Sequence, residues 1–306
     1  MMRAALLWAS NNPYLSRKLP RMRFVRAAAR RFMPGESPAD ALAEAERLAQ
    51  RGAATLLTYL GENVAAEAEA EAVVDHYLGV MAEARERGLD TEISVKPTHL
   101  GLDRSLAAAE GNLTRLVEKA GRSTVWVDME ASPYVDRTLE IYRSVRGRHE
   151  NLGVCLQAYL RRTPYDLETL IPLRPSIRLV KGAYWEEPRI AYSKKREVDA
   201  AYARLTTRML QQASLGRMGR VGLGTHDERM IDLAKTRAHE LGLDPSAWEV
   251  EMLYGIAPGL RDRLSADGTQ VRVLISYGSS WFSWYMRRLA ERPANLLFVL
   301  KKMVGA

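Results

Sequence analysis

The stretch Ile177-Arg178-Leu179-Val180-Lys181-Gly182-Ala183-Tyr184 begins as a short apolar run and ends in a lysine, a glycine and an aromatic residue. Short apolar runs that contain β-branched residues are typical of buried β-strands. A longer segment with helical patterning follows the stretch. The sequence therefore predicts a strand that leads into a helix and carries polar groups at its carboxyl end.

Seven further runs of this kind occur along the chain, and each of the first seven of the eight leads into a segment with helical patterning. Strands joined by such crossovers lie parallel and need helices to cover them. Eight units is the number that closes a barrel, whereas an open doubly wound sheet usually has five or six strands. We therefore predict an α/β fold, a (βα)8 TIM-like barrel. The predicted strands are Ala54–Gly61, Glu92–Thr98, Thr124–Met129, Gly153–Tyr159, Ile177–Tyr184, Val221–Thr225, Trp248–Tyr254 and Val271–Tyr277.

Helices are predicted on both sides of the barrel sequence. Ser37 and Pro38 supply an N-cap and a first-turn proline for a helix before the first strand. After the eighth strand, Trp281–Glu291 has a helical pattern, and a last short helix follows it. We divide the chain into an N-terminal helical segment, residues 1–50, and a barrel that carries the active site, residues 51–306.

The composition excludes several classes of protein. Of the 306 residues, 47% are apolar and 27% are charged, close to globular averages. No apolar run approaches the roughly 18 residues that a membrane span needs. The apolar stretch Ala4–Ala9 is too short for an export signal, and the single cysteine, Cys155, fits a reducing compartment. We expect a soluble cytoplasmic protein.

Basic residues are concentrated near the N-terminus of a chain whose net charge is +8. They alternate with apolar residues, so they could form a helix that rests on anionic lipid at the inner face of the membrane, or one that packs on the barrel. We favour packing on the barrel. No nucleic-acid-binding motif accompanies the charge, and we expect no nucleic-acid partner. The basic residues are Arg17, Lys18, Arg21, Arg23, Arg26, Arg30 and Arg31.

Nearly every predicted strand ends in a polar or charged group beside a glycine or an aromatic residue. In a (βα)8 barrel the carboxyl ends of the strands surround the active site, so we expect these groups to converge there. The strand ends are Tyr59-Leu60-Gly61-Glu62, Lys96-Pro97-Thr98-His99, Asp128-Met129-Glu130, Gln157-Ala158-Tyr159, Lys181-Gly182-Ala183-Tyr184-Trp185, Thr225-His226-Asp227, Leu253-Tyr254-Gly255 and Ser276-Tyr277-Gly278.

Two kinds of active site are disfavoured by the motifs. The five histidines are scattered and form no HxH or HExxH pattern, so we expect no metal site. A nicotinamide site of the Rossmann type needs GxGxxG after a strand. The nearest candidate, Gly222-x-Gly224, has Asp227 where the third glycine belongs.

A Schiff-base aldolase is the main alternative that involves no redox chemistry. Lys96 and Lys181 both stand at strand ends, where burial could lower the pKa of an amine and make it nucleophilic. Either lysine could instead form an ion pair, and for Lys96 the partner could be Asp128 on the next strand. The sequence pattern leaves both interpretations open.

Two adjacent arginines, Arg287 and Arg288, lie on the predicted helix after strand eight. A guanidinium group binds both oxygens of a carboxylate, so the pair suits an acidic substrate if the helix crosses the mouth of the barrel. The alternative is a solvated helix face on which Arg287 pairs with Glu291. We give the carboxylate-binding interpretation and the solvated-face interpretation equal weight.

Several of these motifs resemble those of the proline dehydrogenase family. Residues 178–185, RLVKGAYW, resemble the motif on its fifth strand, and residues 287–291, RRLAE, resemble its eighth-helix motif RRxxE. Length and order are similar to those of the short bacterial monofunctional members. The resemblance extends to Leu60-Gly61-Glu62, Ser94-Val95-Lys96, Asp128-Met129-Glu130, Gln157-Ala158-Tyr159, Thr225-His226 and Leu253-Tyr254-Gly255.

The resemblance implies an FAD-dependent enzyme of proline catabolism. Hydride would pass from the carbon next to the amine nitrogen to the flavin, leaving an imine, and a quinone would receive the electrons. Bound FAD supplies the redox chemistry, which explains why no nucleophile or metal motif is needed. The implied FAD contacts are Met129, Gln157, Arg178, Val180, Lys181, Gly182, Ala183, Trp185, Thr225, His226 and Glu291.

The resemblance also implies a substrate site and a catalytic pair. Arg287 and Arg288 would hold the substrate carboxylate, and Glu62 would pair with Arg287 as a gate. Asp128 and Arg178 are assigned to catalysis. The implied lining of the substrate pocket is Lys96, Asp128, Tyr184 and Leu253.

Three positions depart from the family pattern. Family members usually carry Asp four residues before Glu62, Tyr on strand eight and Tyr three residues before the arginine pair, where this chain has Thr58, Leu274 and Trp284. We predict a substrate pocket that is roomier and less polar near the first two positions. A proline-like or N-substituted amino acid is therefore the alternative to L-proline.

Overall fold

Eight parallel strands close into a single barrel, with neighbours in chain order from β1 to β8. The computed structural model describes residues 29–64, 66–282 and 284–286, together with residues 18, 22 and 25. The last strand pairs with the first from Ala54↔Arg272 to Tyr59↔Tyr277, which closes the barrel. The predicted fold class is confirmed. The strands are β1 (Ala54–Tyr59), β2 (Thr91–Val95), β3 (Val125–Val127), β4 (Leu152–Gln157), β5 (Ser176–Val180), β6 (Val221–Gly224), β7 (Trp248–Leu253) and β8 (Val271–Tyr277).

In the described part of the chain, one helix follows each of the first seven strands, and another lies directly before the first strand. Most predicted strands ended a few residues too late, because the chain leaves the sheet at the mouth; Pro97–Leu100, for example, is a 3-10 turn. The helices are α1 (Pro38–Ala49), α2 (Glu67–Glu86), α3 (Leu106–Ala120), α4 (Val135–Arg146), α5 (Thr163–Leu170), α6 (Lys195–Ser214), α7 (Glu228–Glu240) and α8 (Pro258–Ala266). In the described part of the chain no helix is long and apolar enough to cross a membrane.

Helix α1 begins as the sequence predicts. The Ser37 hydroxyl accepts a hydrogen bond from the backbone N–H of Asp40 (3.1 Å), and the Asp40 carboxylate accepts one from the backbone N–H of Ser37 (3.2 Å). The helix packs against β1 and β8. It therefore occupies the flank of the barrel where a helix following β8 would otherwise lie.

The chain after β8 lies at the mouth of the barrel instead. Residues 281, 282 and 284–286 are helical, and they pack with Phe32, Met33 and Leu60 in a small apolar cluster. The proposed division of the chain at residue 50 stays a prediction. The described part of the N-terminal segment, however, packs against residues that border the active-site mouth.

Along β7, apolar residues that face the helices alternate with charged residues that face the barrel axis. Val250 and Met252 belong to the apolar core between sheet and helices, whereas Glu249 and Glu251 are buried inside. Ion pairs cross the interior, since Arg220 before β6 contacts Glu92 on β2 at 2.6 Å. The interior of this barrel is therefore charged, whereas the interiors of most (βα)8 barrels are filled by branched apolar side chains.

The amino-terminal end of this interior is held by paired charges. Arg272 donates to Glu249 (3.1 Å) and to the Thr55 carbonyl (3.1 Å), while Trp126 donates to Glu92 (2.7 Å). The side chains of Arg272 and Glu249 are 5% and 7% exposed, so each depends on ion-pair partners for solvation, and Arg220 also approaches Glu249 at 3.5 Å. This floor separates the active-site cavity from the opposite end of the barrel.

Replacing Arg272 by Met should lower the free energy of unfolding by about 3–5 kcal/mol, because it removes a guanidinium group that contacts two buried carboxylates, Glu249 and Glu92. Urea unfolding of the purified variant measures this. The matched control is Arg208→Met, which breaks a pair with Glu168 whose side chains are 43% and 49% exposed and should cost less than about 1 kcal/mol. Equal losses in the two variants would contradict a stabilising role for the buried floor.

Candidate active site

A cavity of about 1050 Å³ opens at the carboxyl ends of the strands. Its walls combine apolar side chains with a few charged and amide groups, the composition expected of a ligand site. Most of the residues predicted to bind cofactor or substrate meet there. The predicted residues that line it are Lys96, Asp128, Met129, Gln157, Arg178, Val180, Lys181, Gly182, Ala183, Tyr184, Thr225, His226, Leu253, Leu274 and Trp284.

Arg178 is the fixed cation at the base of this cavity. Its guanidinium donates to Asp128, to the Ser94 hydroxyl (2.8 Å) and to Glu251 (3.2 Å). The arginine side chain is only 3% exposed. Burial disfavours its charge, but Glu251 and Asp128 outweigh that effect and raise the pKa of Arg178 above its usual value. Arg178 is therefore charged and held from two sides.

Asp128 is the carboxylate on the cavity side of this pair. Its side chain is 21% exposed, and its Oδ1 accepts both from Arg178 and from the Ser94 hydroxyl (2.8 Å). The sequence pattern left open a pair between Asp128 and Lys96. Among the described ion pairs Asp128 is joined to Arg178 instead, because the long Arg178 side chain reaches across the barrel interior from β5 to β3.

Lys181 lies at the rim between two carboxylates. Its ammonium donates to Asp199 (2.5 Å) and to Asp227 (2.9 Å). Arg229 also donates to Asp227, at 2.9 Å, and the pKa of Asp227 is lowered first by this bond and then by Lys181. Lys181 thus takes part in an ion-pair cluster. The surroundings of Lys181 are therefore charged, whereas a nucleophilic amine is favoured by an apolar environment.

Backbone geometry at the end of β5 shapes one wall of the cavity. Gly182 has φ +114°, and a Cβ atom there would lie 2.1 Å from the Tyr159 ring. Only glycine fits that position, because a side chain would meet both strain and a clash. The chain can therefore pass closely over Tyr159 and present Gly182 and Ala183 to the cavity.

Glu130, which follows β3, is bonded through its buried carboxyl group to the residues after β2 and through its backbone carbonyl to the end of β4. Glu130 accepts from the backbone N–H of Thr98 (3.0 Å) and from its hydroxyl (2.7 Å), and the Gln157 amide donates to the Glu130 carbonyl (2.9 Å). Burial raises the pKa of Glu130 to about 7. These bonds orient Gln157 at the cavity wall.

His226 has a defined role at the end of β6. Its Nε2 accepts a hydrogen bond from the backbone N–H of Leu253 at 3.0 Å. A neutral ring that accepts at Nε2 carries its proton at Nδ1. The bond links the ends of β6 and β7, so His226 and Leu253 hold fixed positions on neighbouring parts of the wall.

Some predicted site residues are not assembled by the described structure. Glu62 and Trp185 do not line the cavity, and Trp185 is 70% exposed. Arg287, Arg288 and Glu291 lie outside the described residues. The carboxylate grip, the Glu62 gate and the flavin contacts of Trp185 and Glu291 stay predictions.

The cavity also contains residues that the sequence interpretation did not select, among them Cys155 and Glu251, which line it from inside the barrel. Ser276, from the predicted end of β8, and Thr58, one of the three departures from the family pattern, line it as well. Burial raises the pKa of the Cys155 thiol to about 11, so that thiol is not a nucleophile at neutral pH. Glu251 could have been selected from the sequence, because its alternation with apolar neighbours along β7 indicates a side chain that faces the barrel interior.

The described residues contain no cluster of three or more His, Cys, Asp or Glu side chains that could hold a metal ion. The cavity is lined instead by cations, by carboxylates that pair with some of them, by amide and hydroxyl groups, and by apolar residues. Arg178 and Lys181 supply positive charge, and Gln157 and Thr225 supply hydrogen bonds. Such a lining suits a large organic ligand that carries both apolar and polar groups.

Comparison with known proteins defines the class. A model of the family described as "Proline dehydrogenase" matches residues 41–301. Proline dehydrogenase 1 of Bacillus subtilis (strain 168) is 36% identical over 303 residues, covering 98% of each chain. Proline dehydrogenase of Deinococcus radiodurans is 35% identical over 283 residues, covering 90% of each chain. The chain belongs to the proline dehydrogenase family, which consists of flavin-dependent enzymes.

A solved structure shares the fold. The crystal structure of proline utilization A from Bdellovibrio bacteriovorus, inactivated by N-propargylglycine, superposes with a TM-score of 0.82 at 23% identity. The comparison covers 95% of this chain and 36% of that one. The barrel described above is therefore the same architecture as one part of that larger protein.

The cavity fits the cofactor of this family. Its volume of about 1050 Å³ is at the upper end of the range for small-molecule sites, as a dinucleotide requires. Nine of the predicted FAD contacts line it, and Gly182 keeps one wall free of a side chain that the backbone could not accommodate. The residues that would hold FAD are Met129, Gln157, Arg178, Val180, Lys181, Gly182, Ala183, Thr225 and His226.

Proposed function

We propose that this chain is an FAD-dependent dehydrogenase that oxidises L-proline to pyrroline-5-carboxylate and passes the electrons to a quinone. The observation that carries the proposal is the buried, doubly paired Arg178 at the base of a large cavity, in a chain of this family. Oxidation removes a hydride from the carbon next to the amine nitrogen and a proton from that nitrogen. The product is a cyclic imine.

FAD supplies the hydride acceptor when it is bound. Arg178 contributes a positive charge that needs no reorganisation, because Asp128 and Glu251 already hold its guanidinium in place. A fixed positive charge stabilises the negative charge that a nearby acceptor gains on reduction. Lys181, fixed by Asp199 and Asp227, adds a second cation at the rim.

The apolar wall of the cavity excludes water from the reacting atoms. Leu253, Leu274 and Trp284 line it on the side of β7, β8 and the helical residues beyond. A dry site strengthens the electrostatic effect of Arg178. Asp128 and Lys96 remain at the cavity surface, where they would orient the amine group, and Arg287 with Arg288 would bind the carboxylate.

A second substrate class is favoured by the residues of the same wall. Leu274 and Thr58 line the cavity at positions where the family usually has Tyr and Asp, so the wall there is less polar and has lost an aromatic ring and a charge. Trp284 lines the cavity from the helical residues after β8 and fills part of the space. A proline-like or N-substituted amino acid would fit this shape.

The purified protein should contain noncovalent FAD, and anaerobic substrate should bleach its absorbance near 450 nm. A panel of L-proline, 4-hydroxyproline, pipecolate and N-alkyl amino acids, assayed with one electron acceptor, ranks the substrates by kcat/KM. We expect an analogue to match or exceed L-proline, because the wall at Leu274 and Thr58 has changed. If L-proline wins by orders of magnitude, the three departures do not affect specificity.

The same experiment separates the flavoenzyme from an aldolase. A colourless protein that takes up no flavin on reconstitution would overturn the proposal. Trapping of a carbonyl compound on Lys96 or Lys181 by borohydride would then support a Schiff-base enzyme.

The electron acceptor and the basic N-terminus are proposed to act together at a membrane surface. A quinone dissolves in the bilayer, and a basic segment is attracted to anionic lipid by about 1 kcal/mol per charge near the surface. We place the enzyme in the cytoplasm, docked peripherally at the inner face of the membrane. The packing of Phe32 and Met33 near the mouth is compatible with this, since it leaves Arg30 and Arg31 exposed.

Replacing Arg17, Arg21, Arg23 and Arg26 together by Gln should weaken binding to anionic vesicles, and neutral vesicles are the control. Reduction of a soluble ubiquinone analogue should exceed that of NAD in both proteins. If vesicle binding is unchanged in the variant, the basic segment does not dock the enzyme on lipid, and packing on the barrel is its remaining role. Faster reduction of NAD would exclude the quinone as acceptor.

A further inference from the structure

The interior of the barrel contains more carboxylates than guanidinium groups. Among the described residues, three guanidiniums and four carboxylates project inward from or beside the strands, and all but Arg220 and Asp128, which are 20% and 21% exposed, are almost fully buried. A surplus of negative charge in so largely buried a network is costly unless one of the acids binds a proton. The guanidiniums are Arg178, Arg220 and Arg272, and the carboxylates are Glu92, Asp128, Glu249 and Glu251.

The paired contacts identify Glu251 as the least compensated of these acids. Arg272 donates to Glu249 through its Nε (3.1 and 3.2 Å), and Arg220 donates to Glu92 (2.6 Å). Glu251 shares Arg178 with Asp128 and contacts it at 3.2 Å through Oε2 only. The two guanidiniums near the floor are thus committed to other carboxylates.

The second oxygen of Glu251 has no hydrogen-bond partner among the residues that the structure describes. Oε1 is fully buried, and the whole side chain is 3% exposed. It occupies the space beside Gly222, where a Cβ atom would lie 2.2 Å from it. An unpartnered carboxyl oxygen in such a place favours the protonated acid, because a neutral carboxyl group needs less solvation than a carboxylate.

The charged groups around Glu251 come from several elements. Arg178 on β5 and Arg272 on β8 favour its ionised form, as does Arg220, whereas Glu249 on the same strand opposes it. Asp128 on β3 and Cys155 on β4 face the same guanidinium, and Tyr202 on α6 lies near enough to interact. Burial is the largest effect, and the pKa of Glu251 is raised above its usual value.

We propose that Glu251 is a positioning residue whose proton sets how much of the charge of Arg178 is available to the cofactor site. With the proton bound, Glu251 holds the guanidinium without neutralising it. When the proton leaves, the carboxylate compensates Arg178 from below while Asp128 compensates it from the side. The effect on the cofactor rests on the proposed function, whereas the location of the proton does not.

The first test compares the unfolding of the protein and its E251Q variant by urea over a range from about pH 5 to pH 8. A raised pKa in the folded state means that the folded protein holds a proton that the unfolded chain has lost. Stability due to this proton is therefore present at low pH and is lost as pH rises toward the folded pKa. In the E251Q variant residue 251 is neutral at every pH, so this contribution to stability does not fall as pH rises.

E251Q should gain stability relative to the unmodified protein as pH rises, by up to about tenfold in the unfolding equilibrium constant per pH unit. Glu249→Gln is the matched control, two residues away on the same strand. This variant loses hydrogen bonds to Arg272, but its stability relative to the unmodified protein should not increase as pH rises. An E251Q variant that is less stable by the same factor at every pH would overturn the proposal, because Glu251 would then be an ordinary ionised partner of Arg178.

The second test measures the midpoint potential of the bound flavin in the unmodified protein and in E251Q. The two potentials should agree near pH 5 and diverge above it, with the unmodified protein lower, because ionised Glu251 cancels part of the charge of Arg178. Potentials that stay parallel at all pH values would overturn the link to the cofactor. Failure to bind flavin would refute the proposed function, and the unfolding test would still report on Glu251.

Discussion

The guanidinium of Arg178 is the group on which the rest of the active site depends. A buried cation is stable only if acceptor groups solvate it, and here the carboxyl groups of Asp128 and Glu251 do so from two other strands. The Ser94 hydroxyl from a fourth strand completes the arrangement. The interaction therefore fixes the position of four strand ends as well as the charge at the base of the cavity. The sequence separations involved, 50 residues to Asp128 and 73 to Glu251, mean that the fold must be closed before the site exists.

The position of α1 has a comparable effect on the architecture. Because this helix packs against β1 and β8, the flank of the barrel is already covered when the chain leaves β8. The following helical residues can then lie at the mouth, where Trp284 reaches the cavity. The N-terminal segment and the last described residues thus meet in one apolar cluster over the active site.

Much of the fold could be predicted from local patterns, and the cavity from the strand ends. The eight apolar runs locate the strands because each is short and followed by a helical segment, and Ser37 marks α1 through its capping hydrogen bonds. The pairing inside the barrel could not be predicted in the same way. Asp128 was considered as a partner of neighbouring Lys96, but the structure pairs it with Arg178 on β5. Which charges meet depends on side-chain length and on the stagger of a closed sheet, and neither is visible in one strand alone. Glu251 was missed for the same reason.

The most direct test of the account is a double-mutant cycle between Asp128 and Arg178 that uses the dissociation constant for FAD. The variants D128N, R178K and the double variant would be purified, stripped of flavin and titrated with FAD. If the two side chains act as one unit that presents a fixed cation to the cofactor, their effects should be strongly non-additive, with a coupling of about 1–3 kcal/mol. Effects that add to within about 0.5 kcal/mol would show that Arg178 does not need Asp128 to serve the cofactor site, and would contradict the central role of the pair.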